Sequence, residues 1–391
     1  MKMERKKNLT LLWRRLNSQE LGKDVILVPY YLGQALGCNV DICCGYPDNI
    51  AEQVINEEKE DLHFIRKSLG YKPLQRIPIY IKYLSQHARH IDILMCFHWR
   101  LETFANILLY KLLNRNGIVY IKLDTELGKE WDLSRSSPLS KLLRRKIYNF
   151  CLKQVNVLSC ETSQAYNHII LNKDFKSSLE HKLFLMPNAF DEAHLQVLKI
   201  RERAYTQKEN IMITVGRLGT PQKNTEMLLK AFEKTDFQNW KFYLIGPFEK
   251  EFGDNIKQFY KKYPEKKENI IFVGEINDKK ELWEWYNRAK VFVFTSRWES
   301  YGLVLNEAKR FRNYLISTRV GAAEDLMEQG KYGIFIKQED YIELSAILSK
   351  IIHGETEINV YQNFDVKQLS YKKIISVITK AISYKNITYK E

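Results

Sequence analysis

Short apolar runs alternate along the whole chain with stretches whose apolar positions recur every third or fourth residue. The runs predict buried strands, and the longer period predicts helices packed on them. In the first half the strands fall at 8–12, 39–43, 91–97, 117–123 and 155–159, with helices at 24–36, 101–113 and 140–154. Asp24 is placed to cap the first helix. The stretch 49–90 reads as polar and helical without a defined place in the pattern. The rhythm breaks around Pro187-Asn188-Ala189-Phe190, and the charged stretch 192–210 reads as an inter-domain connection. It then restarts, with strands at 211–215, 241–245, 270–273, 291–294 and 314–317 and helices at 225–232, 255–263, 281–289, 303–312 and 341–351.

The fold class expected is α/β, with two doubly wound, Rossmann-like domains over 1–195 and 205–370. The terminal helix, 371–391, has no strand after it and is expected to pack back on the first domain. Open parallel sheets bind ligands at the carboxyl ends of their strands. Two such sheets facing a central cleft suit a reaction between two substrates, one held by each domain.

Composition narrows the class. At 391 residues, with 45% hydrophobic and 28% charged positions, the chain is too long for one small module and too apolar for disorder. No apolar run reaches the ~18 residues of a membrane span. The basic start has only Leu9–Trp13 as an apolar core, too short for a secretory signal, so a cytoplasmic location is expected. Cys38, Cys43, Cys44, Cys96, Cys151 and Cys160 form no Cys-x-x-Cys pair, which favours reduced buried thiols over zinc or disulfides. The net charge is +14, and it is evenly spread: residues 1–195 hold 28 basic and 21 acidic side chains, the remainder 33 and 26. An even excess suits anionic small ligands or a membrane surface, and gives no clustered patch for nucleic acid.

Two segments carry candidate chemistry. In Phe294-Thr-Ser-Arg-Trp-Glu299-Ser300-Tyr301-Gly302-Leu303-Val-Leu-Asn-Glu307, a strand ends, a loop holds Glu299, and a helix starts near Gly302, where Ser300 can cap it. A helix N-terminus is a ready anion site, and glycine lets a phosphate approach the backbone. Glu307 leans back toward the same opening, where a carboxylate suits a ribose diol. Glu299 suits sugar hydroxyls, although a lone glutamate near a helix start is more often only a favourable charge. In Ile211-Met-Ile-Thr-Val-Gly216-Arg217-Leu-Gly-Thr-Pro-Gln-Lys223-Asn224, two cations bracket a turn at a strand end. They can neutralise a pyrophosphate without a metal. No Asp-x-Asp occurs anywhere in the chain.

Together these segments resemble the donor site of retaining GT-B glycosyltransferases, the large bacterial family four (glycosyl transferases group 1). The resemblance covers about 211–336 densely, with Phe242-Tyr-Leu-Ile-Gly-Pro247 and Phe272-Val-Gly-Glu-Ile276 as intervening strands. It implies a nucleoside diphosphate sugar as donor, no cofactor and no metal. It implies Arg217, Lys223 and Glu299 at the transferring centre, with Gly216 and Asn224 beside them. Ile276 would meet the base, Ser300 to Leu303 the distal phosphate and Glu307 the ribose. In the first half the match is weaker. One glycine, Gly22 with Lys23, stands where the family carries a Gly-Gly loop, and Lys122-Leu123-Asp124 stands where it carries a histidine. Asp124 can orient an acceptor hydroxyl or simply end a turn. Cys160-Glu161-Thr162 and Pro187-Asn188 resemble the family's strand-end signatures.

The expected acceptor is a glycan or lipid-linked oligosaccharide. The basic amphipathic helix with Lys141, Arg144, Arg145 and Lys146 either touches anionic lipid at the inner membrane face or is a solvated surface. His98 follows a strand and reads as structural or as a cleft residue. A catalytically silent partner of another transferase, a GT-B epimerase and a nucleic-acid binder are the competing readings.

Overall fold

The computed structural model describes residues 5–17, 20–45, 62–67, 72–126, 128–134 and 136–388. The chain forms two compact units: 1–191 with 370–391, and 192–369.

The first unit is a seven-stranded parallel sheet of order β3-β2-β1-β4-β5-β6-β7. Its strands are β1 (Asn8–Arg15), β2 (Asn39–Gly45), β3 (Leu62–Arg66), β4 (Ile93–Phe97), β5 (Ile118–Leu123), β6 (Val157–Cys160) and β7 (Leu183–Leu185). The central strands are buried throughout, as both-face-covered parallel strands must be. Each fully buried Leu, Ile or Val there contributes roughly 1.5–3 kcal/mol relative to exposure. The helix Ser376–Thr388 lies against the helix Asp24–Leu36, with Ile375, Ile378 and Ile382 in the same core as Leu27 and Leu32. Tyr371 stacks on Tyr31 at 5.0 Å, and the Tyr31 hydroxyl donates to Asp191.

The second unit is a six-stranded parallel sheet of order β10-β9-β8-β11-β12-β13. The strands are β8 (Glu209–Val215), β9 (Lys241–Ile245), β10 (Ile270–Gly274), β11 (Ala289–Phe294), β12 (Tyr314–Ser317) and β13 (Gly333–Phe335).

Several local expectations are corrected. Lys23, not Asp24, is the N-cap of the first helix; Asp24 sits in the first turn, where its carboxylate accepts from Lys122 Nζ at 2.7 Å. The stretch 49–90 contains the edge strand β3 and the helix Pro73–His87, while 46–61 and 68–71 lie outside the described residues. The stretch 192–210 is not a bare connection. It opens with the helix Glu192–Val197, and the Glu192 and Glu202 carboxylates clamp the buried Arg310 guanidinium. Part of the charge of this stretch is therefore paired across the fold of the second unit. All six cysteines are buried free thiols, and burial pushes Cys43 and Cys96 up to about 12.

Candidate active site

Both sheets reverse their winding direction once. In the second unit this happens between β8 and β11, which lead to opposite halves of the sheet. Loops leaving the carboxyl ends of such a strand pair open a crevice, the usual ligand site of the architecture. The loops here are 216–224 and 295–302, the two segments singled out in the sequence. They are sewn together: Thr295 Oγ1 donates to the Lys223 carbonyl at 2.9 Å, and the Arg297 amide donates to the Gln222 carbonyl at 2.8 Å.

Four of the expected residues meet there. Lys223 Nζ donates to Glu299 Oε1 at 2.5 Å, and Ser296 Oγ donates to the same oxygen at 2.9 Å. The ammonium lies 5.2 Å from the Phe294 ring centre, a cation–π contact that fixes its direction. Gly216 lines the lysine stem: a Cβ there would stand 3.2 Å from Lys223 Cε. Gly302 is the N-cap of the helix Leu303–Arg310 with φ +90°, a conformation that favours glycine, and its Cα faces Phe294 and Glu299. A cation, a carboxylate and the free N–H groups of a helix start thus share one small surface.

The other expected residues are placed differently. Arg217 is exposed and donates to Gln222 Oε1 at 3.1 Å, so it borders the site without being locked in it. Asn224 is fully buried at the start of the helix Thr225–Lys234. Its amide is held by Arg297 (2.8 Å) and Glu339 (3.2 Å), so its side chain is structural. Ser300 caps nothing, because Gly302 takes the cap position without a side-chain hydrogen bond. The Tyr301 side chain is buried, which leaves its backbone, whose carbonyl accepts from Ala322 N–H at 2.8 Å. Ser300 and Leu303 are half-buried on either side of Gly302, and Ile276 is half-buried in the loop after β10. Glu307 is held by Lys279 Nζ at 2.5 Å and Trp283 Nε1 at 3.1 Å, both from the helix Lys279–Arg288.

In the first unit Asp124 is exposed at the end of β5, its carbonyl 3.4 Å from His98 Nδ1. Gly22 and Lys23 are exposed before the first helix. The neighbouring Lys122 is fully buried between Asp24 and Glu161, and Asn188 Nδ2 donates to Glu161 at 2.9 Å. Burial works to lower the Lys122 ammonium's pKa, but the two carboxylates outweigh it and hold it above its ordinary value. Burial also pushes Glu161 up to about 8, against the pull of Lys122.

Sequence reasoning missed Arg297 and Lys279. Arg297 pairs with Glu339 through two nitrogens (2.5 and 3.1 Å) and donates to the Pro221 carbonyl at 2.6 Å. The Glu339 bridge holds that carboxylate below the ordinary range, and the Pro221 contact ties the loop 295–302 to the loop 216–224. The signal was available in part, since Arg297 lies two residues from Glu299, but its partner is 42 residues away.

The two parallel α/β units, with a polar crevice at the switch point of the second, are the GT-B class of glycosyltransferase fold. Residues 198–377 match the family described as Glycosyl transferases group 1, so the family resemblance of the motifs holds for this part of the chain. A protein of the Klebsiella pneumoniae cps region, described as uncharacterized, is 32% identical over 149 residues, which are 38% of each chain. The amylovoran biosynthesis glycosyltransferase AmsD of Erwinia amylovora is 26% identical over 188 residues, 48% of this chain and 50% of its own. The chain spans about half the length, or less, of these curated relatives. Among solved structures, HepE of Anabaena in complex with UDP and glucose superposes with a TM-score of 0.67 at 14% identity, over 97% of this chain and 100% of that one.

Proposed function

We propose that the chain is a retaining glycosyltransferase moving a hexose from a nucleoside diphosphate sugar to a hydroxyl of a glycan or lipid-linked oligosaccharide, in the building of a surface polysaccharide. The observation that carries this reading is the Lys223–Glu299 pair, drawn from loops 76 residues apart to the switch point beside the Gly302 helix start. In transfer, the bond from the sugar's anomeric carbon to the diphosphate oxygen breaks and its electron pair leaves with the diphosphate. Lys223, the helix N-terminus and Arg217 meet that charge, with no metal assigned. A new bond forms from the anomeric carbon to the acceptor oxygen, whose proton passes to the departing phosphate oxygen. Glu299 is placed for the sugar's hydroxyls, and Glu307 with Lys279 for the ribose. The retained configuration rests on the family resemblance. The surface-polysaccharide setting is supported by the descriptions of AmsD and the cps-region protein, and the nucleotide by the UDP of HepE.

The test is a thermal-shift panel of uridine, guanosine and thymidine diphosphate sugars on the full chain. One base series is expected to raise the melting temperature, because a ligand of the folded state stabilises it. No shift with any of them overturns the reading.

We further propose that the enzyme works against an anionic membrane surface. The helix Pro138–Gln154 exposes Leu139, Leu142, Leu143, Ile147 and Phe150, interleaved with Lys141, Arg145 and Lys146. Exposed apolar side chains and basic residues on one helix suit lipid, at about 1 kcal/mol per basic residue near the surface. No helix among the described residues is long and apolar enough to cross a membrane. Co-sedimentation with phosphatidylglycerol vesicles is expected to fall about tenfold or more in a Leu143→Glu, Phe150→Glu variant. Unchanged co-sedimentation of that variant removes this part of the proposal.

A further inference from the structure

The first unit has a switch point of its own, between β1 and β4. A concavity at the carboxyl ends of these strands is lined by Trp13, Arg14, His98, Arg100, Thr103 and Asn106. Behind them Arg76 and Glu102 neutralise each other in a two-pronged pair at 2.9 and 2.8 Å. Arg14 and Arg100 are exposed and make no ion pair among the described residues; Arg14 lies over the Trp13 ring at 5.3 Å. Arg14 and Arg100 are thus cations at the pocket without a direct ion pair, with Asp124 in electrostatic reach of His98 and Glu130 in reach of Arg100. The pocket's rim is the start of the helix Leu101–Leu113, with Arg100 as an N-cap that supplies no side-chain acceptor. The first N–H groups of that helix add to the positive potential.

A second observation is independent of charge. Asn106 is 3% exposed, lines the pocket, and its Oδ1 is buried without a hydrogen-bond partner. An unmatched buried amide oxygen costs about 1–3 kcal/mol. It asks for a donor, and an anion has none, so the missing group is a hydroxyl or amide. Beside it His98 holds a left-handed backbone, φ +63°, with Thr103 Oγ1 donating to its carbonyl at 3.0 Å. Burial, then the Arg100 charge, pushes the His98 imidazole down, so at neutral pH it offers hydrogen bonding and no further charge.

We propose that this pocket binds an anionic sugar of the acceptor: a carboxylate or phosphate held by Arg14, Arg100 and the helix start, with a neighbouring hydroxyl donating to Asn106 Oδ1. The inference rests on the glycosyltransferase reading, which gives the nucleotide to the second unit, and it deepens that reading by naming the acceptor's chemistry.

The test is titration calorimetry on the full chain with glucuronate, glucose 6-phosphate, glucose, inorganic phosphate and dodecyl phosphate, with UDP, GDP and thymidine diphosphate as the donor-side arm. Glucuronate or glucose 6-phosphate is expected to bind at least about tenfold more tightly than glucose or inorganic phosphate. Arg100→Met and Asn106→Leu are each expected to weaken that binding about tenfold while leaving nucleotide binding unchanged. Asn106→Leu removes the unmatched oxygen, so its melting temperature should hold or rise as its affinity falls, which a purely structural asparagine would not do. Failure of both anionic sugars to bind, or unchanged affinity in the variants, overturns the proposal. Inorganic phosphate or dodecyl phosphate binding as tightly as glucose 6-phosphate also overturns it, the latter in favour of a lipid head group. Nucleotide binding without anionic-sugar binding removes this inference alone; loss of both removes the transferase reading with it.

Discussion

Lys223→Ala is expected to lower kcat for sugar transfer by about 10²–10³-fold. The size follows from its task. A preorganised donor aimed at charge that develops in the transition state is worth a few kcal/mol when removed. The ion pair with Glu299 is largely buried, at 17% and 11% side-chain exposure, so the variant also loses stability, and its kcat is compared below its own melting temperature. Lys223→Arg should recover part of the rate, since it restores charge but not the fit against Phe294 and Gly216. Arg217→Ala is expected to cost less, because Arg217 is exposed and tied only to Gln222. Steady-state assays with the donor found in the nucleotide panel decide this. Full turnover in both alanine variants leaves the diphosphate charge unmet by the residues proposed and refutes the mechanism. The same result separates an enzyme from a silent partner, which would bind nucleotide and show no turnover to lose.

The candidate site of the second unit was legible because its parts are local. Gly216-Arg217, Lys223 and Glu299-Ser300-Tyr301-Gly302 each lie within a few residues of a strand end, and strand ends follow from apolar runs. What was illegible depends on distant partners. Asn224 reads as a crevice residue beside Lys223, yet Arg297 and Glu339 turn its amide inward. Glu307 reads as reaching for the helix start, yet Lys279 and Trp283 from a neighbouring helix claim it. The edge strand β3 and the strands β7 and β13 are three to five residues long, with too little periodicity to separate from loop. The stretch 49–90 reads as helical, and the helix Pro73–His87 lies in it despite Pro78; what the sequence lacked was its place beside the edge strand β3. Lys122 was the deepest surprise. An ammonium in the middle of a parallel sheet runs against every composition rule for such strands, and only its two carboxylates, 98 and 39 residues away, explain it.

That triad carries the second large effect. Lys122→Met is expected to destabilise the first unit by about 3–5 kcal/mol, the cost of leaving buried charge without its partner. For a unit of this size that is on the order of 10 °C in melting temperature. Burial holds Glu161 up at about 8, against the pull of Lys122. Its folded pKa is thus raised above the unfolded value near 4.5. Stability from this group is full below that value and is lost as pH rises toward 8, by at most about 1.4 kcal/mol per pH unit. Glu161→Gln mimics the protonated acid, so near pH 6 it should melt close to the parent, and between pH 6 and 8 it should lose less. Combined with Lys122→Met it should change little at pH 6, where the protonated Glu161 carries no charge to remove. Denaturant melts of the four proteins at pH 6 and 8 measure all of this. A Lys122→Met loss under about 1 kcal/mol would mean that water reaches the cluster and screens it, in the manner of a surface pair.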